Sequence, residues 1–225
     1  MTTKLLDDQI KEQVKEFFSE LDAPIKLTFF GSEEKNCDYC KDTLALLEEI
    51  AALDEKISIE ILDLEKNKEL AESFNINTVP TTAITTTKDG KLIDYGVRYL
   101  GIPAGHEFTS LINGIVMVSK QDSGLSPAIR ERLSKLERPV NLKVFVTPTC
   151  PYCPRAVILA HQIAIESPWV SGEMVEAMEF PELSNQFSVS GVPHTVINLG
   201  AGEVVGAVPE DHLMSEIEKS MAVAV

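Results

Sequence analysis

Apolar positions along this chain recur in two rhythms, one helical and one extended. Residues 9–21 set Ile10, Val14, Phe17, Phe18 and Leu21 on one helical face, and residues 128–136 form a comparable amphipathic stretch. Short β-prone runs follow at 27–30 and 142–146; a further one lies at 57–62, with a less clear counterpart at 172–180. Residues 44–50 and 156–160, with their flanks, are apolar and long enough for helices between these strands. Residues 81–87 and 195–199 predict a third strand, followed by a turn at Asp89-Gly90 or at 200–202, a fourth strand and a closing helix. Each half therefore reads helix, strand, helix, strand, helix, strand, strand, helix. Parallel neighbours need crossover helices, so this alternation predicts an α/β fold with a mixed sheet against helices.

The two halves are copies. A constant offset of 113 residues relates Cys37 to Cys150, Phe74 to Phe187 and Pro80 to Pro193. Three landmarks in one register mark a duplication. The polar, Gly-containing stretch 119–124 is the weakest seam, which predicts units at 1–118 and 119–225. At 225 residues the chain is long enough for two cores without staples.

Charge removes several functions. Thirty-five acidic against 20 basic residues give a net charge of −15, which repels polyphosphate backbones and anionic leaflets, so neither nucleic acid nor membrane is an expected partner. The first 21 residues mix acids and lysines rather than forming a secretory signal, and no apolar stretch approaches a membrane span. The expectation is a soluble, cytoplasmic protein.

The four cysteines fall in two close pairs, Cys37-Asp38-Tyr39-Cys40 and Cys150-Pro151-Tyr152-Cys153. Such pairs point to redox or metal chemistry rather than a staple framework. Each sits between a strand and a helix, at the strand's carboxyl end, where open α/β sheets place their sites. A Cys₄ zinc site would need both pairs together, yet each opens its own repeat, far from the other in sequence. No metal is expected.

A strand, a Cys-x-x-Cys pair, a helix and a later Val-Pro before a strand resemble the thioredoxin fold, and Cys150-Pro151-Tyr152-Cys153 is the motif associated with glutaredoxins. Two such copies in tandem resemble the protein disulfide oxidoreductases of thermophiles. The resemblance implies two tandem thioredoxin-fold units, each a mixed four-stranded sheet flanked by helices. It further implies cis Pro80 and Pro193 beside the sulfurs, with the Val79 and Val192 backbones free to pair with a substrate strand. Dithiol–disulfide exchange on protein substrates would follow, whether reduction, oxidation or isomerisation, with no cofactor beyond the redox-active disulfides. An alternative is electron relay from a thioredoxin-reductase-like flavoprotein to a peroxiredoxin. The glutathione pocket of glutaredoxins, a Gly-Gly-x-Asp stretch, is not found after Pro80 or Pro193.

Within that scheme Cys37 and Cys150 are expected as exposed nucleophiles, because a helix N-terminus stabilises a thiolate, and Cys40 and Cys153 as buried resolving thiols one turn inside. Asp38 repels a thiolate at Cys37, by about 0.7 kcal/mol at ~6 Å in water, whereas Pro151 adds no charge. Cys150 is therefore expected to have the lower pKa. Tyr39 and Tyr152 are candidate substrate contacts by position in the motif. His194 reads as an exposed strand histidine without a role and Trp169 as a packing residue; His106, His161 and His212 show no ligand spacing. Neither 27–30 nor 142–146 contains the acid that thioredoxins bury behind the second cysteine.

Overall fold

A computed structural model describes residues 5–33 and 37–223. Asn36, which stands where thioredoxins carry a tryptophan, lies outside the described residues. The first copy runs α1 (Asp8–Phe18), β1 (Ile25–Gly31), α2 (Cys40–Ala51), β2 (Ile57–Asp63), α3 (Lys68–Ser73), β3 (Thr81–Lys88), β4 (Lys91–Leu100) and α4 (Glu107–Lys120). The second runs α5 (Pro127–Leu133), β5 (Val140–Val146), α6 (Cys153–Glu166), β6 (Val170–Glu176), α7 (Pro181–Gln186), β7 (His194–Ile197), β8 (Gly202–Val205) and α8 (Glu210–Val223). This is the order of elements expected in both halves. The β3–β4 turn falls at Asp89 and Gly90, both left-handed, the pairing a tight hairpin turn requires. In the second copy a 3₁₀ turn, Asn198–Gly200, takes that place.

Each copy is a thioredoxin-fold unit with a mixed four-stranded sheet, and the two sheets are continuous. The strand order is β2-β1-β3-β4-β6-β5-β7-β8, joined where β4 pairs in parallel with β6 from Val97↔Gly172 to Leu100↔Val175. The closeness of that join explains Gly96, left-handed at φ 74. A Cβ there would lie 2.8 Å from the carbonyl oxygen of Val170.

The two faces of the sheet are covered unequally. One carries a continuous apolar core in which Leu47 and Ile50 of α2, Leu111 and Ile115 of α4, and Val157 and Ile163 of α6 are fully buried. Full burial of each such side chain contributes about 1.5–3 kcal/mol. The other face has two separate small clusters. Phe30, Phe74 and Ala83 pack beside α3, and Phe145, Val175 and Val196 pack with Phe187 beside α7. Between them the centre of the sheet is left without a helix.

Candidate functional site

Both cysteine pairs stand at the same end of the sheet. β1 and β5 run out at Gly31 and Val146, and the pairs follow at the starts of α2 and α6. Cys37–Cys40 and Cys150–Cys153 are disulfide-bonded, with Cα atoms 5.4 and 5.5 Å apart. Helix begins at the second cysteine of each pair, not a turn before it: Tyr39 and Tyr152 are the capping residues, and neither makes a side-chain cap. No side chain thus caps the first turn of either helix, at the positive end of its dipole, although the Cys40 N–H donates to the Cys37 carbonyl at 3.3 Å.

Burial differs from the expected pattern of one exposed and one buried cysteine per pair. Cys37 and Cys40 are both half-buried, whereas Cys150 is 8% exposed and Cys153 fully buried. The second pair lies against the inter-unit core, which encloses it, and Pro154 is buried behind it. Tyr39 and Tyr152 are exposed, at 44% and 65%.

Val79–Pro80 and Val192–Pro193 are cis, as the resemblance implies. Thr81, following Pro80, pairs with Phe30, and His194, following Pro193, pairs with Phe145. Each buried proline therefore starts the strand beside the one that delivers the cysteines, and Val79 and Val192 precede it half-buried. The carbonyls of Pro80 and Pro193 are both held, by Gly101 N–H at 2.9 Å and Gly206 N–H at 2.8 Å.

One further pair of positions keeps the repeat while reversing its chemistry. Asp63 ends β2 opposite Gly31, and Glu176 ends β6 opposite Val146, again 113 residues apart. Each carboxylate accepts the backbone N–H three residues on, from Lys66 at 2.9 Å and from Glu179 at 2.6 Å. Asp63 is held below the usual carboxylate range, by the Lys66 and then the Glu33 backbone N–H. Glu176 is buried and pushed up by burial, and Glu179, where the first copy has Lys66, is pushed to about 7 by burial although it accepts from Ile102 N–H at 2.8 Å.

The raised pKa has a direct consequence. Glu179 is neutral well below pH 7, so the folded state loses stability as pH rises through about 7, its folded value, from 4.5. Glu179→Gln keeps the acceptor for Ile102 and removes the charge. Its melting temperature should exceed that of the wild type at pH 8 and match it at pH 5 in calorimetry; parallel pH profiles would sink this account.

A third acid has no counterpart among the expected site residues. Glu107, on the first turn of α4, is 1% exposed, accepts from Ser110 Oγ, and is pushed to about 7 by burial, an effect Ser110 opposes. Its Oε1 is buried without a partner. The preceding loop abuts the second centre: His106 N–H donates to the Pro148 carbonyl at 2.9 Å, and Gly105, at φ 60, leaves no room for a Cβ, which would fall 2.3 Å from that oxygen. The first unit thus brings the backbone just before Glu107 against the loop that precedes Cys150. In sequence Glu107 reads as an ordinary first-turn acid, so nothing distinguishes it there.

Two of the four histidines, His161 and His194, are buried. His194 is buried, not exposed, because β7 is an interior strand; its Nε2 lies 3.1 Å from Glu203 Oε2. His161 is fully buried between the Tyr99 hydroxyl and the Arg98 carbonyl, and burial lowers its pKa to about 4. Trp169 is 43% exposed rather than packed. Among the described residues no group of three or more His, Cys, Asp or Glu is placed to hold a metal ion, and no helix is long and apolar enough to cross a membrane.

Two Cys-x-x-Cys disulfides, each at a helix N-terminus with a cis proline on the neighbouring strand, define a thiol–disulfide oxidoreductase built on tandem thioredoxin folds. A thioredoxin-domain family model matches residues 140–219. The chain is 30% identical to a protein disulfide oxidoreductase from Aeropyrum pernix K1, covering 98% of this chain and 95% of that one with a TM-score of 0.86. It belongs to the protein disulfide oxidoreductase family. It is also 27% identical over 203 residues to a Bacillus subtilis (strain 168) protein named NADH dehydrogenase, and 26% identical over 195 residues to an alkyl hydroperoxide reductase component of Staphylococcus aureus (strain NCTC 8325 / PS 47). These alignments take in 90% and 86% of this chain but 36% and 34% of those proteins, so the chain spans about a third of the length of these curated relatives.

Proposed function

We propose that this chain catalyses dithiol–disulfide exchange on protein substrates through both centres, with Cys37 and Cys150 as nucleophiles and Cys40 and Cys153 as resolving thiols. The observation that carries this reading is the repeated geometry: two disulfides at uncapped helix N-termini, each beside a cis proline that starts the adjacent strand. In the reducing direction a thiolate at Cys150 attacks one sulfur of a substrate disulfide, forming a mixed disulfide and expelling the other substrate sulfur as thiolate. Cys153, deprotonated, then attacks Cys150 Sγ, closing the intramolecular disulfide and releasing the second substrate thiolate. The substrate gains two electrons and the protein loses them; oxidation is the reverse. The backbones of Val79 and Val192, with Tyr39 and Tyr152 exposed alongside, would hold the substrate strand. In this scheme Glu107, buried one residue beyond the His106–Pro148 contact, is the candidate proton acceptor for the second centre.

Serine at both Cys37 and Cys150 should abolish insulin reduction and refolding of a scrambled substrate. Full activity in that double variant would defeat the reading.

A second reading is electron relay. The relatives named for alkyl hydroperoxide reductase favour it, and it would place this chain between a flavoprotein reductase and a peroxiredoxin. For the units themselves we place the division just after Lys120 rather than at 118/119, because Ser119 Oγ donates to the Ala23 carbonyl at 2.6 Å and α4 continues through Lys120.

A further inference from the structure

We propose that the cleft over β4, β6 and β5, bounded by Phe74 and Asn75 on one side and by Trp169 and Leu199 on the other, is a non-covalent binding site for an extended polypeptide, the protein substrate on which the two centres act. This rests on the exchange reading above. The cleft encloses about 980 Å³, at the upper end of ordinary ligand sites, and is walled by both repeat units.

Its floor is made by the outward side chains of β4, β6 and β5, and their charges cancel. The Arg98 guanidinium is 4% exposed, binds the Asp94 carboxylate through both terminal nitrogens, and lies 5.0 Å over the Phe74 ring. Lys143 is paired with Glu173, and Asn141 Nδ2 donates to Ser171 Oγ at 2.9 Å and to Glu173. Two cations against two carboxylates give no net attraction for phosphate or any other strongly charged ligand.

The rim is apolar and strained. Trp169 is 43% and Leu199 72% exposed, and Leu199 sits at φ 59, a left-handed conformation unfavourable for a branched side chain. A ligand that covers Trp169 and Leu199 takes their apolar surface out of water, which favours binding.

The cleft also leads to chemistry. A smaller recess of about 60 Å³ shares Asn75, Arg98, Lys143 and Glu173 with it and reaches Thr78 and Thr81, which flank the cis Val79–Pro80 bond of the first centre. A polypeptide laid across Arg98 and Lys143 is thereby led toward the cis-proline bond of the first unit. Charge-balanced floor, apolar rim and continuity with that bond together select an extended chain over a compact small molecule.

The chain's single tryptophan is the reporter. S-carbamidomethylated insulin B chain has no tryptophan and cannot exchange disulfides, so it isolates binding from catalysis. Titrating it into the full chain should shift Trp169 emission to the blue and saturate, with the same midpoint in the Cys37→Ser/Cys150→Ser variant. Leu199→Asp, at an exposed position, should raise the midpoint by about tenfold while leaving exchange with a small disulfide unchanged. No saturable shift in the wild type, a shift lost with the two cysteines, or an unchanged midpoint in Leu199→Asp would overturn the proposal. So would a shift that depends on protein concentration without peptide, which assigns the cleft to a second copy. Loss of activity in the cysteine double variant with binding retained supports both readings, whereas activity retained there with a saturable shift defeats the exchange reading and upholds the cleft.

Discussion

With Cys37 and Cys40 both replaced by serine, the chain should keep most of its insulin-reducing activity, and adding Cys150→Ser should lower what remains by at least about 100-fold. The size follows from the role: a hydroxyl is not a competent nucleophile toward a disulfide, and removing a nucleophile removes the covalent route itself. Adding Cys153→Ser instead should leave the first half-reaction intact and accumulate a mixed disulfide, visible as a mass adduct that reductant releases. The bias toward the second centre comes from Pro151 standing where Asp38 stands in the first, and from Tyr152 presenting 65% of its surface beside the sulfurs against 44% for Tyr39. Opposing it, the second pair is the more buried. Burial weakens the thiolate, and the helix N-terminus has to outweigh it. Alkylation rates of Cys37 and Cys150 against pH weigh the two: a lower pKa at Cys37 would reverse the assignment.

The sequence announces the architecture because its landmarks are covalently or sterically demanding. Cysteines two residues apart, a Val-Pro before a strand and the 113-residue offset stand out from the surrounding apolar residues, which differ between the copies. Strand order within each unit follows from crossover rules. The β4–β6 join does not, because a strand's edge is invisible in its own periodicity; only Gly96, unremarkable in sequence, betrays how close the second unit comes. His194 departs from expectation for a related reason. Its burial depends on β8 and β5 flanking it, which the alternation of a four-residue strand cannot reveal.

The acids show the same limit. A search for a buried carboxyl confined to the strand before each cysteine pair finds nothing, since Glu107 arrives from the other unit and Glu176 from the neighbouring strand. Duplication preserved the acid at Asp63 and Glu176 and its backbone partner, but only the second copy lies in the interior created by the join. Identical local wiring then yields opposite pKa shifts. The two centres are unequal through their surroundings more than through their motifs.

Glu107→Gln should therefore separate stability from exchange at the second centre. Burial raises the Glu107 pKa from 4.5 to about 7, so the carboxyl is neutral and compatible with its site below 4.5 and imposes a growing penalty as pH rises through 7. Fully developed, that penalty is about 3 kcal/mol, the energy of a shift of this size. The glutamine variant escapes it and leaves Ser110 Oγ an acceptor, though its amide protons meet the site that Oε1 occupies without a partner. Its melting temperature should fall less than the wild type's between pH 5 and 8, by several degrees at about 2–4 °C per kcal/mol for a chain of this size. If Glu107 also takes the proton from the resolving thiol, release of a preformed Cys150 mixed disulfide should slow in the variant and lose its inflection near pH 7. A purely structural Glu107 would move the melting curve alone. Unchanged melting and unchanged release together would show that the carboxyl is hydrated in the folded protein and that neither role belongs to it.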